Sequence, residues 1–401
     1  MNILKRNIKI LLNKLTGIKL GKNKLPSQND IHKILVISLY FAGDLLFHSA
    51  VIELLQKIYP KAEIDLWTRA SSAELLKCDP RINKFVTYDN IKTTDYRDIS
   101  SPDKTEYSNH INNLKNNNYS LVIDLTGKKS TALAVKKIKA DFSIGLNYDY
   151  HGYCYDKFVY LNTSSEKGHL IDKYLDVIKI GLNINETKWL ELRSEIKTKP
   201  YIYSEDESIL KADRFLSERG LSGKKYAAIH LTSGWAAKEL PVITFSELIE
   251  YLEGTGIEYV FIGDNNDKIR LTEIETLLKN KYTLKNRFAE LNFKESAELI
   301  KKAVLFIGSD SAPLHIAAAY EIPAVALFGP TNPGFSAPVG NNVKVIYHKL
   351  HCSASDDKQY CTRNGGFTCP YYECMISISS AEIIKAVNVL WGTGKVKTAD
   401  G

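Results

Sequence analysis

The sequence predicts an α/β protein made of two successive, doubly wound parallel sheets. Three observations lead there. Short apolar runs rich in β-branched or aromatic residues alternate with segments of helical periodicity. That alternation lapses after about residue 184 and begins again after about residue 203. Polar residues gather where the apolar runs end, which is where open α/β sheets bind ligands. At 401 residues the chain suits two domains better than one.

Composition narrows the class. The chain is 44% apolar and 10% aromatic, ordinary for a soluble protein with sizeable cores. No apolar run approaches the length that spans a bilayer, and no signal-peptide pattern opens the chain, so an intracellular protein is expected. The net charge of +7 is local: Lys5, Arg6, Lys9, Lys14, Lys19, Lys22 and Lys24 supply it, leaving 46 basic and 46 acidic residues elsewhere. A formally neutral body argues against a nucleic-acid surface.

Taken in order, residues 1–30 form a basic N-terminal segment. Leu4, Ile8, Leu11, Leu12 and Leu15 fall on one helical face, with Lys5, Arg6 and Lys9 mostly opposite. Such a helix suits the cytoplasmic membrane surface through residues 1–25, and equally suits packing on the body. Residues 31–185 carry the first series: strand 34–39, the loop Tyr40-Phe-Ala-Gly-Asp44, helix 45–58, strand 63–67, helix 71–76 and strand 84–88. A polar loop over roughly 89–105 follows, then helix 106–117, strand 120–124, helix 130–138, strand 142–145 and helix 169–180. Residues 186–203 read as a linker. Residues 204–345 restart the pattern with helix 206–219, strand 226–231, helix 245–252, strand 258–262, helix 266–280 and helix 295–302. Residues 346–401 hold a cysteine-bearing loop and an amphipathic helix over 380–391.

The sharpest unit is 303–333. Strands 303–307 and 323–328 flank a helix that runs through His315 to about Tyr320. Ser309-Asp-Ser-Ala-Pro313 offers a cap and an early proline to start it. A helix start carries free N–H groups and a positive dipole end, so a diphosphate is its natural guest. Thr126-Gly-Lys-Lys-Ser130 lacks the glycine spacing of a Walker A loop, and no Gly-x-Gly-x-x-Gly follows the first strand. ATPase and nicotinamide-dehydrogenase readings lose ground accordingly.

Three segments together resemble glycosyltransferase family 9, the family of bacterial lipopolysaccharide heptosyltransferases. They are Ile34-Leu-Val-Ile-Ser-Leu-Tyr-Phe-Ala-Gly-Asp-Leu-Leu46, the stretch 231–241, and Asp310-Ser-Ala-Pro-Leu-His-Ile-Ala-Ala318 with Phe328-Gly-Pro-Thr-Asn-Pro333. The matching pieces span about residues 33–378. The resemblance implies a GT-B fold, two Rossmann-like domains facing a central cleft, and sugar transfer with inversion from a nucleotide donor. It places the acceptor in the N-terminal domain and the donor mainly in the C-terminal one.

On that resemblance Asp44 is the candidate catalytic base, taking the acceptor hydroxyl's proton as the oxygen attacks the anomeric carbon. An N-cap on helix 45–58 is the competing role. Lys238, with Thr232 and Ser233 before it, suits a diphosphate leaving group; a solvated surface lysine is the alternative. The family pattern Lys-x-Trp-Pro reads here as Lys238-Glu-Leu-Pro241, without the Trp. In Gly263-Asp-Asn-Asn-Asp267, Asp267 or Asp264 accepts from ribose hydroxyls or caps a helix. Asp310, Ser311, Ala312, Pro313, Leu314 and His315 complete the donor motif, and Thr331 reaches donor phosphate or sugar or shapes its turn. Pro313 has no N–H and contributes shape; Ala312 replaces a Gly common in relatives. Asp124, Thr126 and Lys128 are the acceptor-binding candidates, with a plain surface loop as the alternative.

Cys352, Cys361, Cys369 and Cys374 cluster beside Gly365, Gly366 and Pro370. Four thiols suggest structural zinc, yet no Cys-x-x-Cys pair occurs, and free or redox-active thiols remain open. No cofactor is required. The expected function is transfer of a sugar, by resemblance heptose from ADP-heptose, onto a lipid-linked saccharide such as a lipopolysaccharide core. The expected place is the cytoplasm, peripheral on the inner face of the cytoplasmic membrane, with no nucleic-acid partner. A family member using another nucleotide sugar and a non-catalytic nucleotide-sugar-binding protein are the alternatives.

Overall fold

A computed structural model describes residues 23–88, 104–146, 151–160, 168–196, 200–338 and 342–392. The amphipathic pattern of residues 1–22 and most of the polar loop expected at 89–105 lie outside the described residues. The chain divides into two compact units, one comprising Met1–Asn162 and Ile171–Thr198, the other Thr163–Leu170 and Lys199–Gly401.

In the first unit, β1 (Lys33–Ser38), α1 (Ala42–Ile58), β2 (Glu63–Thr68), α2 (Ala70–Leu76) and β3 (Lys84–Thr87) lead the chain. Then come α3 (Lys104–Asn116), β4 (Leu121–Asp124), α4 (Lys129–Ile138), β5 (Phe142–Leu146) and β6 (Lys157–Val159). The strands form one six-stranded sheet in the order β3-β2-β1-β4-β5-β6. Every pairing is parallel, with Ile34 opposite both Ile64 and Leu121. This is the doubly wound order whose reversal falls between β1 and β4. Leu35 and Ile37 on one face, packed with Trp67, Val122 and Val135, and Ile34 and Val36 on the other are all fully buried, so β1 reads as continuous apolar sequence because both its faces are covered.

Two more helices complete the unit: α5 (Leu170–Gly181) and α6 (Glu186–Glu195). The second corrects the sequence reading, which left this stretch as linker. Asn185 caps it by accepting from the Lys188 N–H at 2.9 Å. Trp189 and Leu192 form its buried stripe, continued by the C-cap Ile196, among Glu186, Lys188, Glu191 and Arg193, too thin a signal to stand out.

His48 sits fully buried on α1, with Nδ1 2.6 Å from Ser38 Oγ and its ring edge-on to Tyr174 at 4.1 Å. Burial lowers its pKa from 6.5 to about 3. Because the folded value is the depressed one, the unfolded chain takes the proton first as pH drops below 6.5. Stability therefore falls between pH 6.5 and 3, by at most ~1.4 kcal/mol per pH unit from this group. Denaturant midpoints measured at pH 7 and pH 5 are expected to diverge less in His48→Asn than in the wild type; an unchanged gap rejects this assignment.

The second unit repeats the plan. It contains α7 (Asp206–Glu218), β7 (Tyr226–His230), α8 (Val242–Thr255), β8 (Glu258–Ile262), α9 (Asn265–Leu277), β9 (Phe288–Ala289) and α10 (Phe293–Lys302). Next are β10 (Leu305–Ser309), α11 (Ala312–Ala319), β11 (Ala324–Phe328), α12 (Pro333–Ser336), β12 (Val343–Tyr347), α13 (Glu373–Ile376) and α14 (Ser380–Trp391). Its parallel sheet runs β12-β11-β10-β7-β8-β9. Counted from β7, that is the first unit's order again. Ile229, Phe261, Ile307 and Leu327 fill the core, joined from the far end of the chain by Met375, Ile378, Ile383, Val387 and Leu390.

Candidate active site

β10 begins two residues later than the sequence pattern predicts and ends at Ser309. Ala303 closes α10 through its N–H to the Leu299 and Ile300 carbonyls, and Val304 N–H reaches the Tyr226 carbonyl, so neither opens the strand. The later end puts Asp310 in the turn and Ser311 at the N-cap of α11, where no side chain caps the helix. Ser311 Oγ donates instead to the Ser309 carbonyl at 3.1 Å and lies 3.3 Å from His230 Nδ1. Ala312 and Pro313 are half-buried at the helix start. Leu314 is fully buried, so its side chain serves the core and not a ligand, contrary to its place among the donor contacts.

Asp310 is the hub. Its Oδ2 accepts from Lys238 Nζ at 2.7 Å and from Thr331 Oγ1 at 2.8 Å. Its Oδ1 lies 3.4 Å from Ser336 Oγ and 3.5 Å from His315 Nε2. Lys238 Nζ also donates to the Asp310 carbonyl at 3.1 Å, so two of the ammonium's three N–H bonds are spent on one residue. Burial alone would push the Asp310 carboxyl up; the Lys238 charge and the His315 contact outweigh it and hold it well below the usual carboxylate range. Four residues read separately from the sequence, Lys238, Asp310, His315 and Thr331, are thus one charge-paired cluster.

The β7–α8 loop brings Lys238 there. The Leu231 and Thr232 N–H groups donate to Asp267 Oδ1 at 3.1 and 3.0 Å, and the Asp264 N–H donates to Asp267 Oδ2 at 2.9 Å. Gly263 has φ 152°, and a Cβ there would run into the Asp267 carboxylate. Asp267 is therefore a buried organiser of two loops, and the expectation that it meets ribose directly gives way. Asp264 caps α9, accepting from Asn266 N–H at 2.7 Å. Ser233 N–H donates to Glu239 Oε1 at 3.2 Å, and Thr232 is buried at the strand end. Leu240, at the Trp place of the Lys-x-Trp-Pro pattern that the resemblance implies, is fully buried in the core. An aromatic ring is supplied from elsewhere in the loop: Lys238 Nζ stands 4.6 Å from the Trp235 ring centroid.

In the first unit, Asp44 lies in the first turn of α1, half-buried. The helix starts at Ala42, so Phe41 and not Asp44 holds the N-cap position. Asp124 and Thr126 are fully buried. Asp124 accepts from the Thr126 and Gly127 N–H groups at 2.9 and 3.0 Å and from Tyr155 Oη at 2.7 Å. Thr126 Oγ1 accepts from the Leu39 N–H at 2.9 Å. Both tie β4 to its neighbours, which corrects their reading as acceptor contacts; Lys128, half-buried at the N-cap of α4, is the candidate left from that trio.

A family model described as glycosyltransferase family 9 (heptosyltransferase) matches residues 108–364. The chain belongs to glycosyltransferase family 9. This family 9 glycosyltransferase is 28% identical to lipopolysaccharide heptosyltransferase 3 of Escherichia coli over 363 residues, 87% of this chain and 96% of that one. Its fold is shared with the solved family 9 glycosyl transferase of Veillonella parvula DSM 2008, at TM-score 0.75 and 21% identity over 91% of this chain and 98% of that chain. It is shared also with the E. coli ADP-heptose lps heptosyltransferase II, at TM-score 0.68 and 18% identity over 90% and 99%. The fold is α/β GT-B.

Sequence reasoning about this glycosyltransferase missed His230 and Trp235. His230 closes the apolar run Tyr226-Ala-Ala-Ile-His230, an abrupt polar ending that marked it, and stands 3.7 Å from Asp267 Oδ2. The four late cysteines line one small cavity with Arg363 and Glu373. All four are free thiols, and among the described residues no group of three or more His, Cys, Asp or Glu side chains is placed to hold a metal ion. Burial raises the Cys374 thiol to about 11, helped by the neighbouring cysteines. At Cys369 burial is outweighed by the Tyr371 and Tyr372 N–H groups and Arg363, which lower it.

Proposed function

We propose that this glycosyltransferase moves heptose, with inversion, from ADP-heptose onto a lipopolysaccharide-core saccharide. The Asp310-centred cluster beside the uncapped start of α11 carries the reading. It gathers a lysine, a histidine and a hydroxyl at the carboxyl ends of β7, β10 and β11, a setting suited to a diphosphate. The names of the relatives supply the sugar and the acceptor. In the proposed reaction Asp44 accepts the proton of the acceptor hydroxyl as that oxygen bonds to the anomeric carbon. The anomeric C–O bond breaks, and its electron pair leaves on the β-phosphate oxygen. Lys238 turns part of its charge from Asp310 to that oxygen, the Ser311 and Ala312 N–H groups add hydrogen bonds, and no metal is required.

A donor screen tests this: acceptor-dependent release of ADP, UDP, GDP or CMP from the matching nucleotide sugars. ADP release from ADP-heptose alone of the panel is expected; preference for a UDP-, GDP- or CMP-sugar rejects the heptose assignment. Peripheral attachment to the inner face of the cytoplasmic membrane through residues 1–25 belongs to the same proposal, supported by seven cations with no acidic residue among them. Among the described residues no helix is long and apolar enough to cross a membrane. Removing residues 1–25 is expected to abolish co-sedimentation with phosphatidylserine vesicles, and undiminished binding contradicts it.

A further inference from the structure

The cysteine-bearing loop is stitched to the candidate donor site by its backbone. Tyr360 forms an antiparallel bridge with Thr331, the Asn332 N–H donates to the Gln359 carbonyl at 2.9 Å, and the Cys361 N–H donates to the Pro330 carbonyl at 2.9 Å. At its other end Gly366, at φ 93°, comes so close to Ala237 that a Cβ would collide with it. Between these anchors the loop brings two aromatic rings to Trp235: Tyr360 at 5.5 Å and Phe367 at 4.9 Å between centroids. Trp235 is the ring above which Lys238 sits. Tyr360 remains 41% and Phe367 45% exposed.

Strand order says which part of a donor would meet them. Along the carboxyl edge of the second sheet, β8, β7, β10 and β11 are consecutive. The proposed diphosphate site spans β7 and β10, and the family resemblance sets the nucleoside beside the β8 loop, Gly263 to Asp267, although the Asp267 carboxylate itself is held by loop N–H groups. The opposite end of the diphosphate carries the sugar and points towards β11, directly before Thr331 and Tyr360.

We propose that Tyr360 and Phe367, backed by Trp235, form a stacking wall for the transferred sugar of the nucleotide-sugar donor. The inference rests on the donor reading above. The apolar C–H face of a pyranose packs on the rings, while its hydroxyls stay towards water and the polar cluster. The wall is a positioning element that holds the anomeric carbon in line for attack, and it touches neither the nucleoside nor the diphosphate.

The test is calorimetric titration of ADP and of ADP-heptose into the full chain and into Phe367→Ala, Tyr360→Ala and Phe367→Tyr. The two alanine variants, at exposed positions, are expected to bind ADP as the wild type does and ADP-heptose roughly tenfold more weakly. Phe367→Tyr keeps a ring and is expected to retain the wild-type preference. In turnover, KM for ADP-heptose rises with the acceptor KM unchanged. Equal loss for both ligands, loss for neither, or a shift confined to the acceptor KM overturns the stacking wall while leaving the donor reading intact. Wild-type protein that binds neither ligand overturns the donor reading and the wall together.

Discussion

Asp44→Asn is expected to lower kcat by roughly 10²- to 10⁴-fold, the range a positioned general base contributes, while leaving ADP-heptose affinity unchanged. Asparagine keeps the size and the hydrogen-bonding reach of the side chain but cannot take a proton. The helix does not depend on this residue for its N-cap, since Phe41 occupies that position. Loss of the first-turn charge itself costs about 0.3–1 kcal/mol of stability. Acceptor-dependent ADP release and a thermal melt on the same preparation separate the effects. Turnover within a factor of a few of the wild type rejects Asp44 as the base.

The second large effect belongs to Lys238. Lys238→Met is expected to reduce kcat by about 10²- to 10³-fold, the loss seen when one preorganised donor to a developing anion is removed. It also strands the Asp310 carboxylate, nearly buried and already held below the usual range. Removing one partner from such a pair costs roughly 3–5 kcal/mol. Adding Asp310→Asn relieves the stranded charge, since the amide oxygen still accepts from Thr331. The double variant is therefore expected to regain much of the stability and none of the turnover. If it regains both, Lys238 acts only as a structural counter-charge. The pair's pH window is distinct from that of His48. The folded Asp310 carboxyl is the depressed one, so its stabilisation is complete above the unfolded value of ~3.9 and is withdrawn only as pH falls below it. The His48 contribution already declines below 6.5.

What was legible in the sequence follows from how much of each signal is local. β8 and α14 match their predicted bounds, because a continuous apolar run between a helix and a glycine, and a Ser379–Glu382 capping box, are written in adjacent residues. α6 was missed because two buried residues in its ten, Trp189 and Leu192, cannot outvote a charged surface. β6, β9 and β12 were missed because the first two are very short, and β12, at the sheet edge, is half-covered and lacks clear alternation. Within the site, residue types at strand ends picked out Lys238, Asp310, His315 and Thr331. They could not say that Asp310 joins the other three, since its partners lie 72, 5 and 21 positions away and meet only in the folded sheet. The same limit explains Asp124 and Asp267, whose carboxylates look like ligand contacts in sequence and are consumed by neighbouring N–H groups in space. The apparent loss of Trp from Lys238-Glu-Leu-Pro241 has a spatial answer too. Leu240 fills a core position, and Trp235 brings a ring to the lysine from the other side of the loop.

The return of α14 to the core of the second unit has a consequence for biosynthesis. Met375, Ile378, Ile383, Val387 and Leu390 close an interior whose first members, Ala227 and Ile229, leave the ribosome some 150 residues earlier. At ~5–20 residues per second, that half of the chain waits on the order of 10–30 s with an unfinished hydrophobic surface. The first unit has no such delay: its sheet is complete by Val159, and its last helix follows within about forty residues. Nascent chains halted near residue 240, with α6 clear of the ribosome, are therefore expected to resist protease in their first unit, whereas chains halted near residue 370 keep a labile second half that becomes resistant only once α14 has emerged.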